Sequence, residues 1–385
     1  MAATGTRALL ERLIAFDTTS RLSNRALIDF VAEYLGQHGI TARVLPSPDG
    51  AKANLFATIG AGEGGGVMLS GHTDVVPVDG QEWATEPFTL SERQGRLYGR
   101  GTADMKSFIA VVLALAPDMA RRRLSQPIHI ALSYDEEVGC VGVRGLIDQF
   151  GAGAPRPALA IVGEPTEMQV VDAHKSQRGF RTDVTGLEAH SSATHVGVNA
   201  VAAAANLIMR LENMSESLQA EAMRDPRFDP PYSTVHVGVI HGGTARNIIP
   251  RQCHFEWECR GLPGFDSETV LHRFTGEAER DVLAPMRSRH AGAAIATRIV
   301  SRVPALAAQG DNPAQHLALK LAGSNRSFAV SYATEAGLFQ AAGVPTVICG
   351  PGNIREAHRP NEFIELSQIA ACEAFLGRLL DHLAG

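Results

Sequence analysis

The sequence predicts an α/β fold: a mainly parallel sheet with helices on both faces, interrupted by an α+β insertion. Short apolar runs alternate with amphipathic stretches up to Val162, and the same alternation resumes from Ala305. Between them the pattern changes to longer strands of alternating polarity. Acidic and imidazole side chains recur just past the apolar runs, at the strand ends where open parallel sheets place their ligand sites. At 385 residues the chain also exceeds the size at which one hydrophobic core stops growing, so two domains are expected.

Residues 7–16 and 24–38 carry apolar side chains at helical spacing, and Gly39 stops the second helix from the position after its cap. Residues 60–66 read as a flexible loop. Residues 67–70 form a short apolar strand that runs directly into Gly71-His72-Thr73-Asp74. Gly101-Thr102-Ala103-Asp104 precedes a mostly apolar helix at 106–120. The strand at 128–134 leads into Asp135-Glu136-Glu137, and the strand at 158–162 into Gly163-Glu164-Pro165. In the middle region, strands are expected at 178–185, 234–240, 251–260 and 293–302, with helices at 199–212 and 267–287. That β-α-β-β-α-β order is ferredoxin-like, four antiparallel strands under two helices. A last strand at 346–349 precedes Ala357-His358. The expected division is therefore 1–176 with 304–385 as one domain, and 177–303 as an inserted one.

Several function classes fall away on composition. The net charge is −6, and the run Arg121-Arg122-Arg123 is too short to be a basic stripe, so no nucleic-acid partner is expected. No apolar run approaches the roughly 18 residues of a membrane span, and the polar, helix-like residues 1–12 lack the apolar core of a secretion signal. The cysteines (Cys140, Cys253, Cys259, Cys349, Cys372) are odd in number and scattered among apolar neighbours. Reduced thiols and a cytoplasmic location are the expectation.

What remains is chemistry at the strand ends. His72 leaves a strand after Gly71, with Asp74 placed to accept the proton on the free imidazole nitrogen. Asp104 would by itself be a helix N-cap; beside His72 and the later acids it reads as a carboxylate between two metal ions. Glu136 and Glu137 are adjacent and so point to opposite sides of extended backbone. One of them would ligate while the other faces a water as general base. Glu164 and His358 complete a set of imidazole and carboxylate donors suited to a borderline divalent ion. A metal-assisted hydrolase is the expectation, and no Gly-x-Ser-x-Gly nucleophile elbow competes with it. The contrasting class is a metal-free binding protein on the same fold, which the complete donor set opposes.

The strings Ser70-Gly71-His72-Thr73-Asp74-Val75-Val76-Pro77, Tyr98 to Lys106, Asp135-Glu136-Glu137, Gly163-Glu164-Pro165-Thr166 and Ala189-His190-Ser191-Ser192 resemble the dizinc aminoacylase and carboxypeptidase family over essentially the whole chain. The resemblance implies two divalent metal ions, zinc or cobalt. His72 and Glu164 would hold one ion, Glu137 and His358 the other, and Asp104 would bridge them with its peptide bond to Met105 cis. It makes Glu136 the general base and Asp74 the residue that orients His72. It makes the inserted domain a dimerisation domain and lid. His190 would reach the partner subunit's site as an oxyanion donor, which implies a homodimer. Asn247 and Arg260 resemble the family's binders of a substrate carboxylate, a role the guanidinium fork suits. His174-Lys175, residues 180–190 and Thr334 to Gln340 are most similar to members that deacetylate N-acetyl-L-ornithine. A desuccinylase of succinyl-diaminopimelate, or a broader N-acyl amino acid amidohydrolase, would share every metal residue.

Overall fold

The short apolar runs fold as strands with nothing exposed along them, as a sheet covered on both faces requires. The computed structural model of the chain describes residues 5–60, 65–220 and 223–384. Residues 1–4, and 61–64 of the expected loop, lie outside the described residues. Two compact units are formed: Met1–Ala173, Ala308–Ala329 and Thr334–Gly385 in the first, His174–Ala307 and Val330–Ala333 in the second.

The first unit opens with α1 (Thr6–Ile14), α2 (Arg25–Gln37), β1 (Ala42–Pro46), β2 (Ala53–Ile59) and β3 (Val67–His72). It continues through β4 (Ser91–Arg93), β5 (Arg96–Tyr98), α3 (Lys106–Arg121), β6 (Ile128–Ser133), α4 (Val143–Ile147), β7 (Leu159–Pro165) and β8 (Val171–His174). The middle of the chain supplies β9 (Gln177–Thr185), β10 (Ala189–His190), α5 (Ala200–Ala220), β11 (Thr234–Gly242), β12 (Ile248–Ile249) and β13 (Gln252–Arg260). There follow α6 (Glu268–Glu277), α7 (Ala284–Arg289) and β14 (Ala294–Val303). The chain ends with α8 (Pro313–Ala322), β15 (Phe328–Val330), α9 (Ala336–Ala341), β16 (Thr346–Gly350), β17 (Phe363–Glu365) and α10 (Leu366–Leu383).

Among the described residues the main sheet has the order β1-β2-β6-β3-β7-β16-β8-β15. Its centre, β6-β3-β7-β16, is parallel, while β1 and β2 run antiparallel at one edge and β8 pairs β16 antiparallel towards the other. Every residue of β3, β6, β7 and β16 is buried. Leu69, Ile130, Ile161 and Val347 turn to one face and share a core with apolar residues of α1, α2, α3, α8 and α10. Alternate residues turn to the other face. There Phe56, Phe150 and Phe339 follow one another at ring separations of 6.1 and 6.4 Å, next to α4 and α9. Gly163 is required where α3 crosses β7: a Cβ there would lie 2.1 Å from the Phe108 ring.

In the second unit β11-β13-β9-β14 form an antiparallel sheet, the order and connections of the expected ferredoxin-like motif. Phe180 and Trp257 stack at 4.0 Å in its core, and the indole N–H donates to Thr182 Oγ1 at 3.1 Å. The helix expected at 267–287 is instead α6, a π-helical stretch Ala278–Leu283, and α7. Pro285 has no N–H to close an α-helical bond onto residue 281, so the turn before it widens.

Candidate metal centre

The parallel strands bring the expected residues to one edge of the sheet. β3 ends on His72, which stands opposite Ser133 in the register of β6. β6 stops just before Asp135-Glu136-Glu137, and Glu164 is the penultimate residue of β7. Asp104 lies on the loop that enters α3, and its peptide bond to Met105 is cis, as expected. Gly101 opens that loop at φ +88°, where a Cβ would come within 2.9 Å of Val75. His358 follows β16 on irregular backbone with φ +63°, in the left-handed region.

Asp104 lies between two groups of donors. Its Oδ1 is 2.9 Å from His72 Nε2, and its Oδ2 is 3.4 Å from His358 Nε2. On the first side Glu164 Oε1 is 3.6 Å from His72 Nε2; on the second, Glu137 Oε2 is 3.1 Å from His358 Nε2. A Glu136 oxygen joins the first side, within 4.8 Å of donor atoms of His72 and Glu164. The sequence-predicted set is therefore brought together around one carboxylate.

The electrostatics of this cluster are unbalanced. Burial, reinforced by Asp104 and the neighbouring acids, pushes the Glu136 and Glu164 carboxyls well above their ordinary range and raises Glu137 as well. Burial opposes charge on Asp104 too, but hydrogen bonds with His358 and His72 outweigh it and hold that carboxyl low. His72 is 1% exposed; burial disfavours its charged form, yet Glu164, Asp104 and Asp74 together raise its pKa well above the ordinary value. Hydrogen bonds to Asp104 and Glu137 raise His358 to about 10. Carboxylates outnumber imidazoles, and protons are taken up to compensate. A pair of divalent cations would supply that missing charge, and oxygen and imidazole donors at this spacing suit them. The residues fit the expected metals.

Asp74 differs in detail from the expectation. The short contact to His72 Nδ1 is the backbone carbonyl of Asp74, at 2.9 Å, while the carboxylate stands 3.6 Å away. That carboxylate accepts from Ser20 Oγ at 2.7 Å and from the backbone N–H groups of Glu136 and Glu137 at 3.1 and 3.3 Å. It thus ties the acidic turn to the end of β3 as well as facing the imidazole.

Some neighbours escaped the sequence reading. Cys140 is buried, and its thiol lies 3.5 Å from Glu136 Oε1. Glu335 is 1% exposed at the start of α9, near Ser70 and Ser133, and burial raises its carboxyl to about 7. Glu362 is buried and accepts backbone N–H groups from the Asp104 loop. Its signal was present: Glu362 and Ile364 alternate with the more exposed Phe363 and Glu365, so strand periodicity turns this acid inward.

In the second unit, β10 pairs with β12, and Ser191 N–H donates to Asn247 O at 3.0 Å, so His190 and Asn247 are neighbours. His190 is exposed. Ser192 N–H donates to its Nδ1 at 3.2 Å, which makes Nδ1 an acceptor and leaves the proton on Nε2 as an available donor. Arg260, the last residue of β13, is paired with Glu258 at 2.7 Å.

The sequence pattern of peptidase family M20/M25/M40 matches residues 68–382. The chain is 36% identical over 373 residues to acetylornithine deacetylase of Proteus mirabilis, covering 96% of this chain and 92% of that one. Human carnosine dipeptidase 1 superposes with a TM-score of 0.75 at 18% identity, over 98% of this chain and 96% of that one. A Bacillus subtilis protein described as a dinuclear metal binding peptidase of the M20 family superposes at 0.64 with 17% identity, over 98% and 99% of the two chains.

Proposed function

The chain belongs to peptidase family M20/M25/M40 and is a hydrolase of that family, and within it we propose that the substrate is N-acetyl-L-ornithine, cleaved to acetate and the free amine. The likeness to acetylornithine deacetylase over 96% of the chain carries this reading. His72, Asp104 and Glu164 would hold one divalent ion, and Asp104, Glu137 and His358 a second, zinc or cobalt in each case. When bound, such ions polarise the scissile carbonyl and make a water acidic enough to lose a proton near neutral pH.

Glu136 does the proton work. It takes a proton from the attacking water as the C–O bond forms, then delivers it to the nitrogen as the C–N bond breaks. The ligand set is complete without Glu136, which leaves its carboxylate for this task. Asp74 holds the backbone of the 136–137 turn and so aims the base. His190 Nε2–H stabilises the oxyanion that develops on the acyl oxygen. Asn247 and Arg260 bind the carboxylate of the amino acid, Arg260 exchanging part of its pairing with Glu258 for the substrate. The chain acts as a homodimer through its inserted domain, with each His190 serving the partner. Free, buried cysteines fit a reducing, cytoplasmic location.

A release assay on zinc- or cobalt-loaded protein tests the substrate, comparing N-acetylornithine, N-acetylmethionine and N-succinyl-diaminopimelate. The expected result is the highest kcat/KM for N-acetylornithine. A higher value for either competitor replaces the deacetylase reading with that of a broad amidohydrolase or a desuccinylase.

A further inference from the structure

Strand register places half of the metal centre, and something else must place the other half. His72 and Glu164 sit on β3 and β7, which share a parallel ladder. Asp104 and His358 sit on loops, and the His358 side chain is 52% exposed. Beneath them lies a buried ion pair that no ligand role explains. Glu362 Oε1 accepts the backbone N–H groups of Ala103 and Asp104 at 2.8 and 3.1 Å. Its Oε2 accepts from Gly101 N–H at 3.1 Å and pairs with Arg100 Nη1 at 2.7 Å, both side chains being 1% exposed. Arg100 Nη2 donates to Gln81 Oε1 at 2.6 Å, and Gln81 Nε2 donates to the backbone carbonyl of His358 at 3.0 Å. Arg100 Nη1 also reaches Arg359 O at 3.4 Å, and the guanidinium lies over the Trp83 ring at 5.1 Å.

We propose that Glu362, Arg100 and Gln81 form a brace that sets the distance between the Asp104 loop and His358, and so governs retention of the ion shared by Asp104, Glu137 and His358. All three are positioning residues. A buried ion pair is weak evidence of stability in itself, because desolvation offsets most of its attraction. This one also bonds backbone atoms at both sides of the centre, Glu362 at Gly101, Ala103 and Asp104, and Arg100 at Arg359 O directly and at His358 O through Gln81. The consequence is an asymmetry: the His72–Glu164 position has its own support in the sheet, and the His358 position depends on the brace. The proposal rests on the two-ion reading given above.

Calorimetric titration of the metal-free full chain with zinc separates the possibilities. Gln81 is the gentle place to cut, since it is half-buried and lies at the end of the chain of contacts. Gln81→Ala removes these two bonds and the one that Oε1 accepts from Trp83 Nε1 at 3.1 Å, whereas Gln81→Glu keeps an acceptor for Arg100 and Trp83 but has no donor for His358 O. Both variants should bind one ion as the wild type does and the second roughly 10-fold or more weakly, a loss typical of removing an outer partner of a metal ligand. Their metal-free melting temperatures should match the wild type. Unchanged affinity at both positions overturns the brace, as does equal weakening at both with a lowered melting temperature. A wild type that binds fewer than two ions overturns the two-ion reading, and the brace with it.

Discussion

His72 in the first unit is 1% exposed, with Asp74, Asp104 and Glu164 all within 3.6 Å; His190 in the second unit is exposed, and its Nδ1 meets Ser192. The first imidazole sits in a cluster with an excess of carboxylates, each residue placed by a strand end or a bonded loop. The second presents a donor outward, on a two-residue strand. A self-contained cluster of buried donors is built to hold cations. An outward donor does nothing until something is brought to it. The contrast matches the proposed division of roles, in which the first unit would retain the metals and the second would supply substrate and transition-state contacts.

The largest effect should come from the first unit. Glu136→Gln is expected to lower kcat by about 10²- to 10⁴-fold, the usual worth of a positioned acid–base group, with metal content unchanged. Loss of the metals with the activity, by elemental analysis, would make Glu136 a ligand and redraw the cluster. His190→Ala should cost about 10²- to 10³-fold in kcat, the worth of one oxyanion donor, again without metal loss. Co-expressing Glu136→Gln and His190→Ala chains should restore activity, since one mixed site would pair a sound base with a sound His190. No complementation would place His190 at the site of its own chain, or away from any site.

A pH measurement sharpens the first side of the comparison. The Glu335 carboxyl is raised from 4.5 to about 7 by burial. The folded chain therefore holds a proton that the unfolded chain releases, and stability falls as pH rises from about 4.5 to about 7. For this fully buried group the loss is on the order of 3 kcal/mol. Chemical denaturation of the metal-free protein across that range should show Glu335→Gln flattening the decline. An identical slope in the variant would assign the decline to other groups.

The smallest effect belongs to the second unit. Arg260→Ala should raise KM roughly 10- to 100-fold, the value of a charged hydrogen bond, with little change in kcat. A loss confined to kcat would move Arg260 from substrate binding to the chemistry.

Much of the fold was legible because burial leaves a periodic trace. β3, β6, β7 and β16 read as apolar runs, and the inserted motif read from strands such as β9 and β13, where exposure alternates residue by residue. β4, β5, β10, β12 and β17 are two or three residues long, too short for a period to show. The break between α6 and α7 was hidden because the apolar spacing of 267–287 persists across Pro285.

The site divides the same way. His72, Glu136, Glu137 and Glu164 could be named from the chain because each is a reactive side chain at or just beyond the end of an apolar run, a local signature, whereas Asp104 and His358 gained their reading from that set. Nothing local could show that Asp104 Oδ1 faces His72 while Oδ2 faces His358, or that Asp74 bonds the 136–137 turn. The bonds that join Glu362, Arg100 and Gln81 to the centre were invisible for the same reason, their partners lying up to 277 residues away along the chain, although periodicity did turn Glu362 inward. Periodicity and residue chemistry are properties of neighbours in sequence, so the sequence by itself determined the elements and the candidate donors. Distance and hydrogen bonding between remote segments exist only once the sheet has assembled, and the tertiary structure alone decided which donors meet.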